Sequence, residues 1–193
     1  MKNHFVSPQA WLHFALPIAT TLTIAATVLL LDSPVSLAQE HMDTVTAELQ
    51  SKSGSKVEGT LKFMEHGSKV RITGQVRGLT PGKHGIHIHT NGNCDTPDAL
   101  SAGGHFSPYG GRHNAPTSND RHLGDLGNIV AGADGIADVD IVTEGVTLAL
   151  MGTHSIIDRA IVIHANEDDF SDPAGNSGAR IACGLIDQSM MRM

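Results

Sequence analysis

Apolar and polar side chains alternate in the run His84-Gly85-Ile86-His87-Ile88-His89. Successive residues of a strand point to opposite faces, so Ile86 and Ile88 share one face and His87 and His89 the other. A weaker alternation over residues 43–52 predicts a first strand. Val57 to Glu65 and Lys69 to Arg77 are two more strand-length runs, joined at His66-Gly67-Ser68, a hairpin signal in which His66 is a solvated turn residue. Leu79-Thr80-Pro81-Gly82-Lys83 is a turn around a Pro-Gly pair that leads into the histidine strand. Between residues 90 and 127 the apolar period vanishes and Gly, Asn, Ser, Asp and Pro dominate. The pattern returns at Asn128 to Ala131 and Ile136 to Val142, which flank the turn Gly132-Ala133-Asp134-Gly135. Val146 to Met151 reads as a short strand. Arg159 to His164 is apolar and β-branched, as a buried strand would be. Residues 167–177 form a second polar loop, and Ala179 to Ile186 a last strand. Seven or eight short strands, two long loops and no helical period in the mature part predict an all-β sandwich or barrel. A long loop without secondary structure in a compact domain is usually functional or disordered. Histidines punctuate the first loop, which favours function.

The 193 residues suit one domain, and a formal charge of −7 argues against a nucleic-acid partner. Residues 1–38 read as a secretory signal peptide: Lys2 precedes an uncharged, largely apolar run from Ala15 to Leu31, and Ser36-Leu37-Ala38 precedes a cut before Gln39. The competing reading is an uncleaved membrane anchor over residues 11–31, because a span needs about 20 apolar residues. His13 and the threonines count against it. Either way residues 39–193 form the functional domain and face an oxidising compartment, periplasmic or extracellular. The membrane is a partner only if the leader stays. The two cysteines, Cys94 and Cys183, form an even pair in an exported domain, which argues for one disulfide; two buried free thiols are the alternative. The methionines of residues 190–193 read as a frayed terminus rather than a copper-collecting tail.

Two imidazoles one residue apart on one strand face make a natural chelate for copper, zinc, iron or nickel. Histidine numbers twelve in the chain, and six fall between His84 and His122. Such a local bias makes metal binding the first candidate. Ligands could come from His87 and His89, His105, His113, His122 with Asp125, and His164, segments that only long-range convergence would unite. His84 and His154 read instead as structural core histidines.

Four motifs, in order, carry a resemblance: His84 to His89; Gly103-Gly104-His105-Phe106-Ser107-Pro108; Arg121-His122-Leu123-Gly124-Asp125-Leu126-Gly127-Asn128; and Gly175-Asn176-Ser177-Gly178-Ala179-Arg180-Ile181-Ala182-Cys183-Gly184. Over residues 43–186 the chain resembles the copper/zinc superoxide dismutases, in the exported, bacterial-type form suggested by the close spacing of His89 and Cys94. The resemblance implies a Greek-key antiparallel β-barrel or sandwich of about eight strands with two long functional loops. It implies one copper per subunit on His87, His89, His105 and His164. One zinc would sit on His105, His113, His122 and Asp125, so that His105 bridges the two. Copper would be alternately reduced and reoxidised by superoxide, giving oxygen and hydrogen peroxide, with His105 carrying a proton. Asp168 matches a carboxylate that hydrogen-bonds His87 and His113, and Arg180 the arginine beside the substrate position. A homodimer is implied, a monomer being the alternative.

Ile86 and Ala174 depart from the family pattern, which has Phe and a channel-lining Thr there. The second loop is short and lacks a cluster of guiding charges. Two other readings use the same fold: a copper-storage protein without turnover, and a structural module. The first predicts metal binding with little superoxide removal, the second no tight copper or zinc.

Overall fold

A computed structural model describes residues 45–188. The leader read at residues 1–38, the alternative anchor at 11–31 and the methionines of 190–193 lie outside the described residues. Eight strands form the framework: β1 Val45–Ser51, β2 Glu58–His66, β3 Lys69–Arg77, β4 Gly82–His89, β5 Asp125–Ala131, β6 Ile136–Glu144, β7 Arg159–His164 and β8 Arg180–Gln188. They pair antiparallel in the order β5-β4-β7-β8-β1-β2-β3-β6. The end strands β5 and β6 approach each other, so the sheet is nearly a closed barrel. The β3–β4 and β6–β7 connections each skip neighbouring strands, which is Greek-key connectivity.

Alternation decides what fills the barrel. Leu61, Phe63, Ile72, Ile86, Ile88, Ile161, Ile163 and Ile186 are fully buried in one core. Each such side chain contributes about 1.5–3 kcal/mol relative to exposure. The opposite faces of β4 and β7 are buried too, which explains why β7 reads as an unbroken apolar run. Ala160 and Val162 lie on that outer face with Ala99, Ala102, Cys94 and Cys183, under the first long loop. Cys94 and Cys183 are bonded, with Cα atoms 5.8 Å apart and a sequence separation of 89. In the chain-entropy picture a loop of that length is worth about 4–5 kcal/mol.

Three elements differ from the sequence pattern. Val146 to Met151 is not a strand: Thr147 makes only an isolated bridge to Ser155. The Thr147 hydroxyl and the Leu148 N–H turn instead to the Glu65 carboxylate, at 2.7 and 2.8 Å. Strand β5 starts at Asp125 rather than Asn128, because the first loop already pairs with β4 there. A single 3₁₀ turn, Leu100–Ala102, interrupts the first loop; the described residues contain no α-helix.

Candidate metal centre

The sites stand on the outer face of β4. Ile86 and Ile88 point into the barrel, so His87 and His89 point away from it, yet both are fully buried because the two long loops cover them. The first loop is knitted onto β4 by two backbone bonds, Ile88 N–H to Gly124 O at 2.9 Å and Phe106 N–H to Ile88 O at 2.8 Å, and closed on itself by a third, Gly124 N–H to Phe106 O at 2.9 Å. Only glycine fits at 124, since a Cβ there would strike the Ile88 carbonyl. These bonds bring His105 beside His89, as an antiparallel bridge pair. The guanidinium of Arg159 stacks 3.7 Å from the Phe106 ring centre, which fixes the residue next to His105.

Two candidate ligand residues sit where pairing is irregular. Register shifts between Gly85 and His87 on β4, and between Ile163 and His164 on β7. Such irregularities re-aim a side chain. At the second, His164 lies opposite Arg180.

The outcome is two groups of donors. One donor atom each from His87, His89, His105 and His164 lie within 4.8 Å of one another, and so do those of His105, His113, His122 and Asp125. The centre of the His105 ring is 4.9 Å from that of His89 and 5.7 Å from that of His122, so this residue stands between the groups. Hydrogen bonds select the nitrogens. The Gly103 carbonyl takes the proton of His89 Nδ1 at 2.9 Å, and Asp168 takes that of His87 Nε2 at 2.8 Å. The Nε2 of His89 and His164 and the Nδ1 of His87 and His122 are then buried with no hydrogen-bond partner. Buried polar atoms are rarely left unpaired without cause. Three of these nitrogens face the first group and that of His122 the second, and bare imidazole nitrogens fit cations of the copper and zinc type.

The second group is built around one carboxylate. Asp125 Oδ1 lies 2.9 Å from His105 Nδ1, 2.8 Å from His113 Nδ1 and 3.4 Å from His122 Nδ1. Its Oδ2 accepts the backbone N–H groups of Asn114 and His122 at 3.1 and 2.9 Å. Three nitrogens and one oxygen are a donor set that suits zinc. Asp168, fully buried, joins the groups: its oxygens lie 2.8 Å from His87 Nε2 and 2.8 Å from His113 Nε2.

Burial pushes the His87 imidazolium down to about 4, with Asp168 opposing. Burial likewise pushes His164 down to about 3 and His89 well below the ordinary range. These rings are neutral at pH 7 and offer lone pairs. His113 goes the other way: burial opposes its charge, but contacts to Asp125 and Asp168 outweigh it and raise it to about 9. Burial would raise the two carboxyls, yet their histidine partners hold both far below the usual range.

A pocket of about 450 Å³, lined by Leu100, His105, His164, Pro173, Ala174 and Arg180, opens onto the first group. The Arg180 guanidinium donates to the Ala99 carbonyl at 2.8 Å, so the loop segment tethered by Cys94 also aims the arginine. A larger cavity of about 610 Å³, between Pro116 and Gly145, is lined by none of the candidate ligands.

Some positions escape sequence reasoning. Asn128 holds the main chain of Asp168 with two bonds, donating to its carbonyl at 2.9 Å and accepting its N–H at 2.7 Å. Ser177 touches His164. Neither side chain carries a local signal, because each partner is remote or lies in a patternless loop. His84 is buried as expected, bonded to the carbonyls of His164 and Thr80 at 2.9 Å each. His154 is not a core residue: it is half-buried at the surface, 2.7 Å from the exposed Tyr109 hydroxyl. Leu150 and Met151, in the apolar run beside it, are exposed as well.

The family model for copper/zinc superoxide dismutase matches residues 57–186. An extracellular copper–zinc superoxide dismutase of Brugia pahangi is 44% identical over 153 residues, covering 74% of this chain and 75% of the relative. Superoxide dismutase [Cu-Zn] 2 of Mesembryanthemum crystallinum is 42% identical, covering 75% and 96%. A copper–zinc superoxide dismutase of Onchocerca volvulus is 45% identical over 145 residues, covering 69% and 90%. Among solved structures, the clock protein EA4 superposes with a TM-score of 0.68 at 35% identity, covering 76% of this chain and 94% of that one.

Proposed function

The chain belongs to the copper/zinc superoxide dismutase family, and from that premise we propose which residues carry the activity. The protein is a superoxide dismutase with copper and zinc as cofactors: two superoxide anions and two protons give one oxygen and one hydrogen peroxide. We assign copper to His87, His89, His105 and His164, and zinc to His105, His113, His122 and Asp125, one of each per subunit. The observation that carries this is the convergence of both donor groups on His105 with four buried imidazole nitrogens left unpaired. When bound, copper supplies a one-electron couple that imidazoles tolerate in both states, and zinc supplies redox-silent charge.

The remaining work belongs to the chain's own side chains. Arg180 binds the anion: it is a half-buried cation in the pocket wall, aimed by Ala99. Charge focused in a cleft can raise on-rates by roughly 10–10³, which offsets the repulsion from a net charge of −7. His105 lines the same pocket, and its Nε2, when free, holds a proton within reach of a bound anion. Asp168 fixes His87 and His113 through their outer nitrogens, and such partners are typically worth 10–100-fold in metal affinity.

The disulfide and the extracellular relative support an exported protein. The finer reading is a periplasmic or secreted domain of residues 39–193, freed from a leader at 1–38 or tethered through 11–31. A homodimer, with the monomer as alternative, goes with the family resemblance.

The test is His164→Ala. Copper content and superoxide consumption should both fall to background while zinc is largely retained, because His164 belongs to one donor group alone. Normal turnover in this variant would show the copper assignment to be wrong.

A further inference from the structure

We infer that Ser177 is a positioning residue for the His164 ring, its hydroxyl sharing the Nδ1 proton so that Nε2 stays bare and aimed at the copper position. The inference rests on the copper assignment above. His164 Nδ1 lies 3.3 Å from the Gly178 carbonyl and 3.2 Å from Ser177 Oγ. A carbonyl can only accept, so the proton sits on Nδ1. Nε2 carries none, and it is one of the buried nitrogens without a partner. Ser177 Oγ donates its own hydrogen to the Ala174 carbonyl at 2.9 Å, which leaves a lone pair for the ring. The serine is itself pinned: it is buried, and its carbonyl accepts the Asn166 N–H at 2.9 Å.

Comparison with the neighbouring rings shows why His164 needs two acceptors. The Gly103 carbonyl holds His89 at 2.9 Å and Asp168 holds His87 at 2.8 Å. The Gly178 contact is longer than either and near the limit of a useful bond. Two long contacts from adjacent residues bracket the proton and fix the ring plane. Through Ala174, which lines the substrate pocket, the same hydroxyl ties the ring to the pocket wall.

Partners of a ligand's outer nitrogen typically change metal affinity 10–100-fold. Ser177 is neutral and shares the task, so its loss should cost about tenfold. The test compares full-length wild type, Ser177→Ala and Ser177→Thr. Copper(II) affinity is measured by chelator competition, the copper(II) environment by electron paramagnetic resonance, and zinc affinity and metal-free melting temperature as controls. The expected result for Ser177→Ala is about tenfold weaker copper binding and an altered resonance spectrum, with both controls unchanged; Ser177→Thr keeps a hydroxyl and restores affinity. Wild-type copper affinity and spectrum in Ser177→Ala would overturn the inference. So would a copper defect matched by equal losses of zinc affinity and melting temperature, which marks a general packing role. The spectrum of Ser177→Ala decides the matter even if the threonine variant fails to fold. Undiminished copper binding in His164→Ala would instead overturn the ligand assignment itself.

Discussion

At the scale of single residues, burial and charge contacts set opposite proton affinities within one cluster. His87 and His164 stay neutral in the folded state down to about 4 and about 3, whereas unfolded they take up a proton near 6.5. Acidification from pH 7 to 5 therefore stabilises the unfolded chain, and the metal-free protein loses stability through that window. His113 acts in the other direction. Its value of about 9, against 6.5 unfolded, contributes stability that is complete below 6.5 and is lost as pH rises through 9. The depressed carboxyls of Asp125 and Asp168 add stability that is present above 3.8 and vanishes further into acid. Calorimetry of metal-free protein should thus show a maximum melting temperature near pH 7, with a decline on both sides. A flat profile between pH 7 and 5 would contradict the burial of these rings.

At the scale of elements, strands supply the rigid half of the centre and loops the adjustable half. The second loop turns at Gly175 with φ of 65°, directly over the Asp168 carboxylate that joins the two donor groups. A Cβ there would strike Asp168 Oδ1 and crowd His113 Nε2. Gly175→Ala should therefore lower zinc affinity at least tenfold, by displacing the outer partner of His113. Overpacking of this kind should also cost about 1–3 kcal/mol in denaturant unfolding. Chelator competition and urea titration would check the two effects separately; unchanged zinc affinity would mean that the loop can move aside. Elements also show where pattern reading fails. Val146 to Met151 has strand-like composition, but Leu150 and Met151 are exposed and Glu65 takes the backbone and hydroxyl hydrogen bonds. Composition reports β-propensity, whereas pairing needs a neighbour in register.

At the scale of the whole molecule, the proposed ligands come from β4, β7 and β5 and from the intervening loop, so metal binding there would close most of the chain onto one face of the barrel. A ligand at a thousandfold excess over Kd stabilises the folded state by about 4 kcal/mol. For a domain of this size that is roughly 8–16 °C in melting temperature. Removal of both metals by chelator should lower Tm by about twice that amount, one contribution per site, and readdition of zinc and copper should restore it. The barrel, its apolar alternation and the candidate donor residues that the fold gathers were legible in the sequence, because they depend on a period of two and on residue chemistry. Ile86 and Ile88 inside, His87 and His89 outside, follow from that period alone. The tertiary structure decided which nitrogen of each ring is free. It also decided that His164 stands opposite Arg180 across a register shift, that Asn128 holds Asp168, and that His154 lies at the surface. Those outcomes depend on bulges and on loops docking across scores of residues. A hydrogen bond between distant positions is fixed by how far each strand slides along its neighbour, and no local period encodes that distance.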